Sequence, residues 1–211
     1  MSLNNPNVFE EILHNPHIML CLQWEENLLS FEGYKVIDDI AKSKSGRPLI
    51  IISTGFDDQA ATFLKSQEYN GVRVLALIAP GEDDFEKADI MNDIAECVGT
   101  LVIGKYLEAP PEGTGMFNCG EADMVKINQD WDGQNSFNLI LGGKGASYSI
   151  EGRIDEIKDN LPDPESSYYD DEDEAYYKKL MQRINNFSIE ESNYKFKYVG
   201  DNKVMGNEPP S

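Results

Sequence analysis

The stretch VRVLALIAPGEDDFEKADIMNDIAECVGTLVIG, Val72 to Gly104, decides how this chain folds. Apolar β-formers at Val72–Ile78 predict a strand, and Leu101–Ile103 predict another. Between them Phe85, Ala88, Met91, Ile94, Ala95 and Val98 recur at three- and four-residue spacing, the mark of a helix with one apolar face. Gly99 supplies its C-terminal stop. Strand, helix and strand in alternation is α/β order, so at least part of the sheet is expected to be parallel.

Working outward, Ile18–Leu22 and Leu49–Ile52 read as further strands. Gly33–Ser43 carries Tyr34, Val36, Ile37, Ile40 and Ala41 at helical spacing. Asp57 is placed to cap a helix running to about Gln67, with Phe56 just outside it. Residues 104–123, rich in Pro and Gly, read as an irregular excursion. MVKIN (Met124–Asn128) and FNLIL (Phe137–Leu141) flank Asp132-Gly133 as a hairpin with a longer loop. Ile150, Ile154, Ile157 and Leu161 make one helical stripe; Tyr177, Leu180, Ile184 and Phe187 make a second, and the two are expected to pack as an antiparallel hairpin. The acidic link between them, Pro162–Glu174, should be exposed. A last strand is expected at Tyr194–Val199. The whole reads as an α/β chain of one domain over 1–211, with a core at about 6–200 and a polar tail at 201–211.

The 211 residues include 38 Asp and Glu against 18 Lys and Arg, a formal charge of −20. Such a surface repels phosphate, so no nucleic acid and no membrane partner is expected. No apolar run approaches the roughly 18–20 residues that cross a bilayer. Three cysteines, Cys21, Cys97 and Cys119, with no C-x-x-C pair, fit a reducing compartment, and a cytoplasmic location is expected.

The candidate chemistries have plainer explanations. Glu82-Asp83-Asp84 and Asp57-Asp58 stand at helix starts, where carboxylates meet free N–H groups. Asn128-x-Asp130-x-Asp132-Gly133 begins like an EF-hand loop, but its twelfth position is Leu139. His14 and His17 have no further ligands close in sequence. Gly142-Gly143-Lys144-Gly145-Ala146-Ser147 lacks the spacing of a phosphate loop and reads as a glycine-rich strand exit. The run Asp170–Glu174 reads as a solvated loop. No catalytic residue, metal site or bound cofactor is expected.

One helix has apolar surface to spare. Tyr34, Val36, Ile37, Ile40 and Ala41 span an arc of about 160°, whereas packing on one sheet needs about 100°. Val36 and Ile40 can face the core, which leaves Tyr34 and Ile37 at its edge. Either a partner uses that edge or a second layer covers it.

The order of segments from about Pro6 to Gly200 resembles the apical domain of GroEL-type (group I, 60 kDa heat-shock) chaperonins. Leu13-x-Asn15-Pro16-x-Ile18, VIDDIAK (Val36–Lys42) and GRPLIII (Gly46–Ile52) look like its opening segments. APGEDDFEKADIMNDIA (Ala79–Ala95) with GTLVIG (Gly99–Gly104) is similar to its Ala-Pro-Gly loop, helix and short strand. CGEADMVKINQD (Cys119–Asp130), EGRIDEIKD (Glu151–Asp159), Tyr168–Asp170 and Tyr198-Val199-Gly200 look like its hairpin, helical pair and exit strand.

The resemblance implies a swivelling β/β/α three-layer fold with a C-terminal helical hairpin. It implies a chaperone domain that binds unfolded polypeptides, and a co-chaperonin mobile loop, in a groove between two helices. Carried onto this chain, the polypeptide-binding positions are Val8, Phe9, Tyr34, Ile37, Ala61, Leu64 and Lys65. In a parent protein the domain would be one of seven in a ring. ATP and magnesium would be held elsewhere, since the Gly-Asp-Gly-Thr-Thr loop of the family is absent from this sequence. The alternative is a chaperonin-derived adaptor that keeps the fold and binds one native partner.

Overall fold

A computed structural model describes residues 8–22, 34–66, 71–105, 107–130, 138–187, 191–193, 197–200 and 203–204. Its centre is a parallel sheet made of the strands that the sequence marks most clearly. β2 (His17–Cys21), β3 (Leu49–Ser53) and β4 (Val74–Ile78) lie side by side, with Ile18 opposite Ile50 and Ile50 opposite Leu75. β5 (Val102–Ile103) joins β2 on its other side, also parallel, and the short β6 (Gly120–Glu121) pairs with β2 antiparallel. β2 and β3 are buried at every position, the continuous apolar run expected of parallel strands covered on both faces.

The two faces separate by the alternation of side chains along each strand. Ile18, Leu20, Ile50, Ile52, Leu75 and Leu77 face one core, where α3 (Asp84–Val98) contributes Met91, Ile94, Ala95 and Val98. Met19, Cys21, Leu49, Ile51 and Ala76 face the other, packed with α1 (Tyr34–Ser43) and α2 (Asp58–Ser66). The helix limits follow local chemistry. Asp57 Oδ1 accepts from Ala60 N at 2.6 Å, Asp83 Oδ1 accepts from Glu86 N at 2.8 Å, and Gly99 ends α3 at φ 75°. Burial along α3 begins only near Met91, so Phe85, placed in the apolar stripe by sequence, is 88% exposed; caps rather than packing hold that first turn.

A second, antiparallel sheet runs β1 (Val8–His14), β7 (Met124–Asp130), β8 (Leu139–Leu141) and β9 (Glu191–Asn193). The expected hairpin is β7–β8, with Met124 opposite Leu141; its loop, including Asp132-Gly133, lies outside the described residues. Leu13, Val125, Ile127 and Ile140 carry this sheet into the same core as α3.

α4 (Ser147–Asp159) and α5 (Asp171–Asn186) complete that layer. Their directions can be read from their partners on α3. Gly145 N donates to Cys97 O, and Arg153 reaches Asp89 and Asp93 further back, so α4 runs against α3. Lys179 meets Glu82 and Glu86, and Arg183 meets Asp89 and Asp93, so α5 runs with it. The two helices are therefore antiparallel, as expected, and the link between them is largely exposed.

Of the closing strand expected at Tyr194–Val199, Lys197–Val199 lie in a strand, and 194–196 lie outside the described residues. β9 pairs with β8 in one sheet, while β10 (Lys197–Gly200) pairs with β4 in the other and with β11 (Lys203–Val204). The fold is thus mixed α/β, with two sheets and five described α-helices.

Candidate functional site

The first candidate is the α1–α2 face. Ile37 is 4% exposed and Leu64 is 2% exposed; both belong to the core that includes Val36, Ile40, Ala60, Ile103 and Ala109. The expectation that Ile37 and Leu64 stand open to water is corrected. Ile37, one of the two edge residues of the apolar arc of α1, is taken up by this core; the side chain of the other, Tyr34, lies outside the described residues. Ala61 is half-buried on α2. Tyr34 and Lys65 lie on α1 and α2, and Val8 and Phe9 on β1 opposite Asp130 and Gln129; the side chains of these four lie outside the described residues.

A different surface collects exposed apolar side chains. An open cleft of about 760 Å³ lies between the C-terminal end of α3, the segment 108–118 and the start of α4. Phe117 is 80% exposed, Tyr148 is 78% exposed and Leu101 is 48% exposed, and all three line it. Neighbouring large apolar groups left in water on one face are the usual mark of a contact surface.

The floor beneath them is tied by hydrogen bonds. Thr100 Oγ1 donates to Asn118 O at 2.7 Å, and Gly115 N donates to Asn118 Oδ1 at 3.0 Å, closing the 3₁₀ turn Met116–Asn118. Gly104 N donates to Ala109 O at 2.9 Å, holding the excursion against β5. Gly115 also makes room for the ring above it, since a Cβ there would lie 2.9 Å from Phe117 Cε1. On the opposite wall Gly143 and Gly145 pass close under the end of α3, where Gly145 N donates to Cys97 O at 2.9 Å. The glycine-rich exit thus serves backbone packing.

The rim is acidic. Glu96, Glu108 and Glu112 line the cleft, and none of them has an ion-pair partner among the described residues. Among the described residues Lys144 is the one cation in the lining, and it is held by Asp123. Nothing in the sequence had marked this place beyond its glycines and prolines: Leu101, Phe117 and Tyr148 are far apart in the chain and follow no common period.

The remaining candidates have structural roles. Asp57 and Asp83 are caps. His17 is buried near Arg47 and Glu121, and burial with the Arg47 charge lowers its pKa. Burial pushes the Cys21 thiol up, and the Cys119 thiol up to about 12, so neither is poised as a thiolate nucleophile. Among the described residues no group of three or more His, Cys, Asp or Glu is placed to hold a metal ion. No helix among them is long and apolar enough to cross a membrane.

No protein-family model matches the chain. Among solved structures it is similar to the chaperonin gp146 from the bacteriophage EL 2 (Pseudomonas aeruginosa), at 12% identity and a TM-score of 0.48. The match covers 83% of this chain and 32% of that one, so this chain spans about a third of that protein's length.

Proposed function

We propose that this chain is a polypeptide-binding domain, and that the cleft of Leu101, Phe117 and Tyr148 is its contact surface. The observation that carries the reading is the grouping of two rings and a leucine, largely in water, around a cleft whose floor is fixed by hydrogen bonds. Burying a large apolar side chain against such a wall is worth about 1.5–3 kcal/mol, so each of the three is a sizeable contribution against the cost of association. The order of the sequence motifs supports the wider setting: an apical domain of a chaperonin-type ring, holding non-native polypeptide and a co-chaperonin loop. The ring contacts and ATP hydrolysis with magnesium would belong to a longer protein.

Burial of Ile37 and Leu64 favours a second version of the same role. With less open apolar surface on the α1–α2 face, the domain suits one selected partner better than a broad range of denatured chains.

Fluorescence anisotropy with a dye-labelled, denatured client tests the reading. Binding is expected to weaken by about tenfold or more in Phe117→Ser, Tyr148→Ser. Tyr34→Glu tests the α1 position carried over by resemblance. Unchanged binding in the first variant overturns the cleft. Loss in the Tyr34 variant alone returns the site to α1.

A further inference from the structure

We propose that the cleft selects segments in which an arginine stands among apolar residues. The inference rests on the reading of this cleft as a polypeptide site and names what it prefers. Its lining puts two aromatic rings, Phe117 and Tyr148, together with three carboxylates, Glu96, Glu108 and Glu112, that no described cation neutralises. Lys144 offers the cleft little positive charge, because Asp123 already pairs with it.

Each part of that lining meets a different part of one side chain. A guanidinium is flat, weakly hydrated and always charged, so it stacks on a ring face while its edge donates to a carboxylate. Arginine–carboxylate pairs form two parallel hydrogen bonds, which fix orientation as well as adding attraction. Phe117 and Tyr148 supply the faces; Glu108 and Glu112, both exposed, supply the acceptors. Leu101 and Pro110 remain for the apolar neighbours of the arginine. A glutamate in the same segment would meet the three carboxylates as like charge, so acidic segments are disfavoured. The charge of −20 draws any basic chain toward the surface; the cleft adds ring faces beside its own carboxylates.

The test uses the full chain and labelled peptides of equal length and apolar content, differing only in carrying Arg, Gln or Glu at two positions. Anisotropy titrations at physiological salt are expected to rank Arg over Gln over Glu, with about tenfold between the first and last. In Glu108→Gln, Glu112→Gln that advantage should shrink to about threefold or less, while the Gln peptide binds as before. In Glu165→Gln, Glu172→Gln, which removes two exposed charges outside the cleft lining, it should persist. Equal binding of the three peptides, all weakened by Phe117→Ser, Tyr148→Ser, overturns the arginine preference and leaves the polypeptide site standing. A preference that falls equally in both charge variants reduces it to general attraction and overturns it too. If no peptide binds, or if binding ignores the two rings, the site and the preference fall together.

Discussion

Asp93 lies on α3 with no surface open to water, and its charge is shared by two arginines. Arg153 Nε donates to Asp93 Oδ1 at 2.8 Å, and Arg183 grips both oxygens, from Nε at 2.7 Å and from Nη2 at 2.9 Å. Burial alone would lower the pKa of both guanidinium groups; the Asp93 charge and hydrogen bonds outweigh it and raise them. Removing one partner of such a group leaves buried charge unmet, so Asp93→Ala is expected to cost about 3–5 kcal/mol, read as a lower urea midpoint. Replacing all three together, Asp93→Leu with Arg153→Met and Arg183→Met, should recover much of the loss. His17 gives the pH dependence. Its folded-state pKa lies below the ordinary 6.5, so the unfolded chain takes up the proton first as pH falls. Its contribution is complete above that value and is lost as pH drops through the folded pKa. The urea midpoint should therefore fall less on acidification in His17→Gln than in the native protein.

At the scale of elements, the close approach of the segment Gly142–Ala146 to the end of α3 shapes one wall of the cleft. A Cβ on Gly145 would lie 1.7 Å from Glu96 O, and one on Gly143 would lie 2.2 Å from Cys97 O. Gly145→Ala is expected to destabilise by about 1–3 kcal/mol in thermal melts and to weaken peptide binding by displacing Tyr148. Gly152→Ala is the control: it lies in exposed α4 with nothing within 4 Å of the added atom, and it should stabilise by about 0.5–1 kcal/mol. What the sequence shows and hides differs by element for physical reasons. β2, β3 and β4 are buried on both faces, so each reads as an unbroken apolar run. The strand VFEEILH of β1 hides because its hydropathy does not follow its alternating faces: Ile12, 44% exposed, is on the open face, while Glu11 shares the covered face with buried Leu13. The spare arc of α1 was legible, but which layer meets Ile37 is a tertiary fact. The cleft was not legible, because three distant segments build it and tertiary hydrogen bonds, such as Thr100 Oγ1 to Asn118 O and Gly145 N to Cys97 O, bring them together.

For the whole molecule, −20 is a load spread over one folded body. Self-repulsion favours the expanded state, so the melting temperature should rise between about 10 mM and about 150 mM NaCl, as the screening length contracts from about 30 Å to about 8 Å. Absence of any rise would mean that local ion pairs already balance the field. The same charge keeps the exposed rings of the cleft from associating between copies, since like-charged bodies must meet before rings can touch.

The C-terminal segment contributes to both sheets at once: β9 borders β8 and, three residues on, β10 borders β4. A proteolytic nick just after Phe187 would therefore bare two unpaired rims together, one of them the greasy VLALI of β4. A chain shortened there should fail less by melting than by sticking, stacking rim to rim with its own kind into aggregates that its strong like charge can slow but not prevent.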